Sequence, residues 1–550
     1  MKNDGSGEGK EFDYIIVGSG TAGCVLANRL SEDDDVSVCM IEAGPPDKSP
    51  RIHIPAAVAT LLFDKKLGWG YKTVPQKNLE GRVIPIPRGK VLGGFSSTNG
   101  MVYYRGHPRD FDDWATAGNS GWSFAEVLPY FIRSENNINL GNSPWHGSDG
   151  PMQVSDIERL NPLIDIFLAA TDEAGYPRCE DFNGTLEPEG FNSRQGAIYN
   201  GRRVSGVTAF INPVKNRSNL TIMAESLVTR ILLQDKRAVG VEINVGGEIR
   251  KLKANREVIL SAGSIGSPQI LMLSGIGPAQ DLQELGIDSR HDLPAVGRNY
   301  HDHPAIGIVY HMKTSESYGL SLRALPRDAW NVVEYLLFRH GPLASNLFEG
   351  MGLLRTEEGL DRPDVQFVFQ PAARNKKFHP VPLGHGFAMN PVCLYPKSRG
   401  TVKLAGPDPH AIPLIDPNLL DDERDTRTLV RSIRISRKIL NAQAFAPTGG
   451  EEYAPGPGID DDNGLSDYVR DKVVTVHHPV SSCRMGVDEN SVVDPELRVH
   501  GMEGLRVVDA SVFPSLIGGN TNATVVMIAE KAADMIRGRT APEPMDPDNL

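Results

Sequence analysis

The chain has 550 residues, with 57 Lys or Arg and 69 Asp or Glu, which gives a formal net charge of -12. This length exceeds what one ordinary hydrophobic core supports and predicts two tandem or interleaved domains. The negative charge argues against nucleic acid as a partner. No window approaches eighteen uninterrupted apolar residues, so no membrane-spanning helix is expected.

The N-terminal residues and the cysteines bear on the compartment. Residues 1–11 are polar and glycine-rich and lack the apolar run of a secretory signal, which predicts a disordered lead-in. The five cysteines are scattered and show no CxxC spacing, which favours a reducing compartment and no metal site. We therefore expect a cytoplasmic protein, with peripheral contact at the inner membrane left open.

A glycine turn between two strands is the strongest local signal. The apolar run 14–17 predicts a buried strand, and GSGTAG follows it at residues 18–23. Gly18 permits the tight turn, Gly20 lets the backbone approach a pyrophosphate, and Gly23 lets the helix pack on the strand. Glu42 closes the next strand, where a carboxylate can accept hydrogen bonds from a ribose. The pattern predicts dinucleotide binding, with FAD or NAD favoured over NADP; a glycine turn without a ligand is the alternative.

The later elements alternate between helices and strands. We expect helices over 111–135 and 160–175, strands over 219–262, and a helix over 267–277. A mixture of strands and helices follows over 305–470, including a helix over 423–443. A final strand and helix (LRVVDASVFPS and TNATVVMIAEKAADMIRG) are predicted to return to the nucleotide domain, so the two domains are interleaved.

Three further clusters indicate chemistry. RGKVLGGFSSTNG at 88–100 offers glycines and hydroxyls to a flat ligand, or forms an elaborate surface loop. Adjacent histidines are poor joint metal ligands, so His478, which precedes a proline, is interpreted as an acid or base. Asn522 follows GGNT and either caps the last helix or presents its amide to a ligand.

Taken together, these motifs resemble the glucose–methanol–choline oxidoreductases. The resemblance runs over residues 12–537 in the right order and includes GSIGSPQILMLSGIG at 263–277 and HHPVSSCRMG at 477–486. Within the family, PKSRGTVKL and LIDPNLL are similar to the bacterial choline dehydrogenase and alcohol dehydrogenase branch.

The resemblance implies an α/β fold with two interleaved domains. A Rossmann-like FAD-binding domain would take residues 12–160, 200–310 and 470–540. An α+β substrate domain with an antiparallel sheet would take residues 161–199 and 311–469.

The resemblance also implies the site residues. His478 is the expected catalytic base, and Asn522, about 44 residues later, is the expected second catalytic group. Asn520 matches a flavin-contacting position, and the Val228 backbone is expected to meet the adenine. Glu349 and Asn346 are candidate substrate contacts. The expected cofactor-binding residues are Gly18, Ser19, Gly20, Thr21, Ala22, Gly23, Glu42, Ala43, Trp69, Arg88, Val91, Gly93, Ser97, Asn99, Gly100, Met101, Val102, Val228, Ala262, Asp509, Ala510, Asn520 and Thr521.

The chain departs from the family pattern at several positions. Ser481 replaces a glycine, which demands a less permissive backbone, whereas Ser482 keeps a hydroxyl in the place of threonine. Phe95 replaces a small residue beside the glycines at 93 and 94. Thr98 stands where some members carry a histidine bonded to the flavin, so noncovalent FAD is expected.

The implied activity is oxidation of a primary alcohol to an aldehyde, with hydride transfer to the flavin and electrons passed to a quinone or another carrier. The small-molecule substrate could be an aliphatic alcohol, a polyglycol end, an aryl-methanol or choline. The alternatives are an oxidase that uses O2, an FAD-containing lyase such as a hydroxynitrile lyase, a fatty-acid photodecarboxylase, and a non-catalytic flavoprotein.

Overall fold

The computed structural model describes residues 10–373 and 384–550. The α-helices, α1 to α12 in chain order, are Thr21–Leu30, Pro50–His53, Val58–Leu61, Pro108–Thr116, Phe124–Ser134, Leu163–Glu173, Gly263–Leu273, Ala279–Glu284, Leu325–Phe338, Glu423–Leu440, Asp462–Lys472 and Asn522–Arg537. The strands, β1 to β24, are Glu11–Val17, Val38–Ile41, Glu135–Asn137, Met152–Asp156, Gly190–Ser193, Gln195–Gly196, Ile198–Tyr199, Arg202–Arg203, Leu220–Met223, Ser226–Gln234, Arg237–Val245, Glu248–Leu260, Ile276–Gly277, His291–Asp292, Pro304–Ala305, Ile308–His311, Gly350–Leu354, Val365–Gln370, Gly386–Cys393, Thr401–Lys403, Leu414–Asp416, Glu451–Ala454, Val474–Thr475 and Leu505–Val507.

The first layer is a seven-stranded sheet with the order β10-β11-β12-β1-β2-β9, in which β24 also pairs with β12. Strands β1, β2, β9, β12 and β24 form its parallel pairs, and β10 and β11 extend it as antiparallel strands. Strand β2 is buried at all four residues, as expected of a parallel strand covered on both faces. Helices α1 and α12 pack against each other beside it. The C-terminal strand and helix therefore return to the N-terminal domain, as the sequence predicts.

The second layer is an eight-stranded sheet with the order β22-β16-β19-β18-β17-β5 and with β15 and β23 paired at its side. Its pairs are antiparallel. Helix α10 packs on one face, and a separate hydrophobic core contains Phe167, Phe369 and Phe387. The predicted α/β fold with an antiparallel substrate-domain sheet is confirmed.

Some predicted element bounds differ from the structure. The single helix predicted over 111–135 is wrong, because the chain forms α4 and α5 with a turn between them. Gly118 and Gly121 adopt φ of 96° and 88° in that turn, and a capping box at Ser123 starts the second helix. Of the predicted lead-in, Glu11 already belongs to β1, and residues 1–9 lie outside the described residues.

Most strands of each sheet come from the residue ranges that were predicted for the corresponding domain. Strand β5 joins the second sheet from within 161–199, and β16 crosses the predicted boundary at residue 310. The domain boundaries themselves stay a prediction. Across the two described stretches of chain, no helix combines the length and apolarity needed to span a bilayer.

Candidate active site

A cavity of about 460 Å³ lies between the two sheets. One wall comes from the ends of β1, β2 and β12 and the turns that follow them, and the other from β16, β18 and β19. The parallel strands present their carboxyl ends here, which is where open α/β sheets bind ligands.

Three helices begin at this cavity. The N-terminal residues of α1, α7 and α12 line it, and the N-cap residues Gly20, Ala262 and Thr521 make no side-chain capping bond. Unpaired amides and the positive end of the helix dipole attract anionic groups. The N-terminus of α1, directly after the glycine turn, is therefore suited to a pyrophosphate.

Glycine is required at Gly18 in the turn and at Gly94 in the second cluster because neither leaves space for a Cβ. Gly18 has a φ of 99°, and a Cβ there would lie 2.5 Å from the carbonyl oxygen of Ser261. A Cβ on Gly94 would lie 2.8 Å from the Cα of Gly20, so the two glycine clusters meet across bare backbone. These contacts hold both loops open to a ligand that approaches their amides.

Glu42 directly follows β2 and lies in the cavity wall. Its carboxylate accepts hydrogen bonds from the Ser19 hydroxyl at 2.6 Å and the Gly44 amide at 2.8 Å. Burial raises the pKa of this carboxyl, and these hydrogen bonds oppose the rise. The acid therefore lies where the sequence predicts a ribose-binding group.

His478 lies at the far end of the cavity, in the loop after β23. Its Nε2 is 3.2 Å from Nδ2 of Asn520, and its Nδ1 is 3.1 Å from Nδ1 of His303. The backbone amide of His478 donates to Oδ1 of Asp302 at 2.7 Å. Burial, together with the neighbouring His303, Arg88 and His477, holds the pKa of His478 well below its usual range, so the imidazole is neutral and can accept a proton.

The predicted pair His478 and Asn522 both line the cavity, but within the described chain no hydrogen bond joins their side chains. Asn522 is the first residue of α12, and its Oδ1 accepts a 2.7 Å hydrogen bond from the hydroxyl of Thr21. It does not cap the helix either, because the N-cap residue is Thr521. Asn520 lies two residues earlier, before the helix starts, and this offset turns its amide toward the histidine.

Two residues that the sequence analysis missed, Asp302 and His303, surround His478 together with Arg88, which was expected to bind the cofactor. Asp302 and His303 come from the loop before β15, about 175 residues earlier, and Arg88 donates a hydrogen bond to the backbone carbonyl of His477. The Arg88 guanidinium carbon also lies 4.3 Å from the ring centroid of Phe95. Phe95, which replaces a small residue of the family pattern, therefore packs against Arg88. One signal was available, since the dipeptide of His303 and Pro304 repeats that of His478 and Pro479.

Ser481, which stands where the family pattern has glycine, has a left-handed backbone conformation. Ser481 adopts a φ of 68°, which favours glycine, the residue that the family pattern has there. The neighbouring Ser482 uses its hydroxyl to bond the carbonyl of Ser264 at 2.6 Å, which ties the histidine loop to the first turn of α7.

Most of the predicted cofactor-binding residues line the cavity. Five do not: Ser19, Gly23, Val91, Gly93 and Ser97. Their roles are internal, because the Ser19 hydroxyl is bonded to Glu42, the Ser97 hydroxyl donates to the Leu92 carbonyl, and the Val91 side chain is fully buried among apolar neighbours. The lining residues are Gly18, Gly20, Thr21, Ala22, Glu42, Ala43, Trp69, Arg88, Asn99, Gly100, Met101, Val102, Val228, Ala262, Asp509, Ala510, Asn520 and Thr521.

The two candidate substrate contacts lie outside the cavity wall. Glu349 is fully buried, and its carboxylate is bonded by the Asn161 amide and by the hydroxyls of Tyr318 and Ser345. Asn346 donates its side-chain amide to the carbonyl of Gly100 at 2.7 Å. Both polar groups therefore hold loops together, and their assignment to the substrate stays a prediction that these contacts do not support.

Comparison with known proteins identifies the class. The N- and C-terminal family models of the GMC (glucose–methanol–choline) oxidoreductases match residues 12–305 and 396–529. The chain belongs to this family. It is therefore an oxidoreductase that acts on CH–OH groups and binds FAD, and the predicted family, enzyme class and cofactor are confirmed.

Particular relatives cover almost the whole chain. An alcohol dehydrogenase [acceptor] of Pseudomonas putida is 42% identical over 528 residues, which are 96% of this chain and 95% of that protein. An oxygen-dependent choline dehydrogenase of Brucella anthropi is 41% identical over 532 residues, or 96% of each chain.

Solved structures share the fold. The pyridoxine 4-oxidase described from Mesorbium loti superimposes with a TM-score of 0.87 at 32% identity, covering 96% of this chain and 100% of that one. Formate oxidase gives a TM-score of 0.89 at 30% identity, covering 97% and 99%; the R554A form of this enzyme comes from Aspergillus oryzae RIB40.

The cavity has the features that FAD needs. The uncapped N-terminus of α1 could hold a pyrophosphate, Glu42 directly follows the second parallel strand, and the glycine loops present bare backbone. His478 and Asn520 lie at the other end of the same cavity, toward the antiparallel sheet.

Proposed function

We propose that this chain oxidises an uncharged primary alcohol to its aldehyde, with His478 as the base and Asn520 as its partner. The observation that supports this proposal is the 3.2 Å approach of Asn520 Nδ2 to His478 Nε2 in a buried cavity. The Asn520 amide thus replaces Asn522 as the second catalytic group, and the base is the one expected from the sequence.

The two side chains have separate tasks. An alcohol carbon is a poor hydride donor until its oxygen loses the proton, and the neutral Nε2 of His478 can take it. The Asn520 amide can donate a hydrogen bond to the oxygen as negative charge develops. FAD, when bound, supplies the hydride acceptor. We propose that FAD is held noncovalently, because Thr98 offers no imidazole at the position used for covalent attachment.

The cavity wall favours an uncharged substrate over choline. On the antiparallel sheet the wall consists of apolar residues and neutral amides: Val309, Gln366, Val368, Gln370, Ala388, Asn390 and Val392. The only carboxylates among the described lining residues are Glu42 and Asp509. Asp509 accepts hydrogen bonds from the Gly263 amide and the Ser267 hydroxyl, so it is committed to α7. A quaternary ammonium ion would thus lack an opposite charge at the base.

A substrate series tests this proposal. We expect a higher kcat/KM for a linear primary alcohol than for choline, measured with an artificial electron acceptor. The matched pair 3,3-dimethylbutan-1-ol and choline have almost the same shape and differ in charge, so their comparison isolates the cation. A clear preference for choline within this pair would contradict an uncharged substrate.

We also propose that the electron acceptor is a quinone and that the enzyme contacts an anionic bilayer surface from the cytoplasmic side. The support is helix α9, whose polarity is inverted. Its buried residues are Asn331 and Tyr335, whereas Trp330 and Phe338 are each 60% exposed. The exposed apolar residues of α9 are Leu325, Trp330, Val332, Val333, Leu336, Leu337 and Phe338.

The charges around α9 complement an anionic surface. Arg323, Arg327, Arg339 and His340 are exposed, although the whole chain carries a net charge of -12. The acids of the helix are half-buried and paired, Asp328 with Arg327 and Glu334 with Arg159, and His340 contacts Glu158, so Arg323 and Arg339 carry most of the uncompensated charge. An exposed apolar helix face with aromatic and basic residues is typical of helices that lie in a membrane interface.

The α9 surface is connected to the mouth of the cavity. The turn after α9, Pro342–Ala344, packs on Pro55–Ala57, and the neighbouring α3 leads to Phe63. Phe63 lines the cavity and is still 45% exposed, so the cavity opens beside it. A bilayer at α9 would bring an apolar acceptor close to this opening.

Vesicle binding tests the membrane contact. We expect the holoenzyme to sediment with vesicles that contain anionic lipid, and we expect Leu336→Glu combined with Leu337→Glu to weaken binding at least about tenfold. Ile249→Glu, at an exposed apolar residue of β12, is the matched control. If the double variant instead splits a dimer in the absence of lipid, with no change in vesicle binding, the α9 surface joins two copies of the chain and the bilayer proposal fails.

Peroxide formation tests the acceptor. We expect turnover with a soluble quinone to exceed turnover with air, with little hydrogen peroxide formed per alcohol oxidised. Stoichiometric peroxide at a comparable rate would make the protein an oxidase.

A further inference from the structure

We propose that His303 is a positioning residue that fixes the tautomer of His478, so that its Nε2 has no proton and can act as the base. The inference rests on the proposed function of His478. It follows from a chain of hydrogen bonds that links the Ile517 carbonyl, the imidazole rings of His303 and His478, and the Asn520 amide. In each of these hydrogen bonds, the chemistry of the atoms decides which one donates the proton.

The first end of this chain lies at His303. Its Nε2 is 3.0 Å from the carbonyl oxygen of Ile517, which can only accept a hydrogen bond. Nε2 of His303 must therefore carry a proton. The ring is fully buried, and burial lowers its pKa to about 4 against the opposing backbone interactions with Ile517 and Leu394, so it is neutral at pH 7. Because its single proton is on Nε2, its Nδ1 holds a lone pair.

The second step crosses to the base. The Nδ1 atoms of His303 and His478 are 3.1 Å apart, and the ring planes are at 89°. Because His303 presents a lone pair, His478 must supply the proton of this hydrogen bond from its own Nδ1. A neutral imidazole has one proton, so Nε2 of His478 is left as an acceptor.

The other end of the chain is arranged in the same direction. The Gln366 side-chain amide nitrogen lies 3.5 Å from Oδ1 of Asn520, which orients that amide with its oxygen toward Gln366. The Asn520 nitrogen then faces His478 at 3.2 Å, and it can only donate. Nε2 of His478 must therefore accept, as the His303 end also requires.

His303 does not touch the reacting atoms in this arrangement. Its effect is to stabilise the proton on the remote nitrogen of His478, so that the nitrogen facing Asn520 is ready to accept the alcohol proton. Without an acceptor at residue 303, only the Asn520 amide still favours the proton on Nδ1, so a larger fraction of His478 carries it on Nε2 and cannot accept the alcohol proton.

Two substitutions separate this role from simple packing. His303→Asn retains an oxygen near the position of Nδ1, whereas His303→Leu fills similar space without an acceptor. We expect the Leu variant to lose about 10–100-fold in kcat per bound FAD, as for a buried hydrogen bond that is lost, and the Asn variant to stay within a few-fold of wild type. Equal losses in both variants would overturn the proposal.

Nitrogen NMR reads the tautomer without turnover. In holoenzyme with 15N-labelled histidine rings, the signals that disappear in His478→Ala belong to His478. We expect a protonated Nδ1 and an unprotonated Nε2 in wild type, and a shift toward the opposite pattern in His303→Leu. A protonated Nε2 in wild type would refute the proposal even if His303→Leu failed to fold. Retention of turnover by His478→Ala would instead refute the base itself, so the two failures are distinguishable.

Discussion

The hydroxyl of Thr21 donates a 2.7 Å hydrogen bond to Oδ1 of Asn522, which joins residues 501 positions apart in the chain. This bond ties the first turn of α1 to the first turn of α12, on the floor of the cavity. The same loop therefore uses its two asparagines differently: Asn522 fastens the cofactor domain, and Asn520 reaches His478.

Exchange of these two asparagines for alanine should give different results. We expect Asn520→Ala to lower kcat and kcat/KM together by about 10–10³-fold, because the amide bonds the oxygen mainly in the transition state. Steady-state rates normalised to bound FAD provide the measurement.

Asn522→Ala is the matched control for that variant. We expect it to cost about 1 kcal/mol of unfolding free energy through the lost bond to Thr21, with turnover per bound FAD little changed. If Asn522→Ala is the slower enzyme and Asn520→Ala is near wild type, the assignment must be reversed.

Substitutions of the two adjacent histidines should also have different effects on activity. We expect His478→Ala to lower kcat by about 10²–10⁴-fold, the usual contribution of a positioned base, with normal FAD content. His477 adopts a φ of 70° and offers its backbone carbonyl to Arg88. His477→Asn keeps a residue that tolerates this conformation and should retain most activity. A larger loss in His477→Asn than in His478→Ala would place the base at residue 477.

The pH dependence follows from the burial of the base. An exposed histidine takes a proton below about 6.5, but burial holds the pKa of His478 well below that value. The neutral, active form should persist as the pH falls through 6.5, so the acid limb of kcat/KM should lie at lower pH.

Asp302 is the control in this experiment, because burial raises its pKa to about 6 and it accepts the His478 amide. A limb near 6 that disappears in Asp302→Asn belongs to Asp302. A limb at or above 6.5 that survives this substitution would contradict a buried neutral base.

Removal of the cofactor tests how FAD is held. Because Thr98 replaces the linking histidine, acid precipitation should release all flavin into the supernatant, where its absorbance is compared with that of the holoenzyme. Flavin that stays with the pellet would show a covalent bond through another residue.

The sequence could predict what is encoded locally. Three features can be recognised from a few neighbouring residues: the glycine turn, Glu42 after its strand, and the histidine before Pro479. Each of them contributes residues to the cavity wall. Asn520 and Asn522 have the same side chain and differ only in where α12 starts, so their roles depend on the helix boundary.

Other features depend on distant parts of the chain. Glu349 is surrounded by apolar residues in sequence, yet its partners come from residues 161, 318 and 345. His303 meets His478 only because β15 pairs with β23. Neither contact is visible until the second sheet has formed.

The most direct test of the proposed reaction is anaerobic mixing of the holoenzyme with a primary alcohol, followed through the absorbance of oxidised flavin. We expect the wild-type absorbance to bleach in a single turnover with release of one aldehyde per FAD, and we expect bleaching to slow by about 10²–10⁴-fold in His478→Ala. Aldehyde or other product formed without bleaching would indicate lyase chemistry, and equal bleaching rates in the two proteins would contradict His478 as the base.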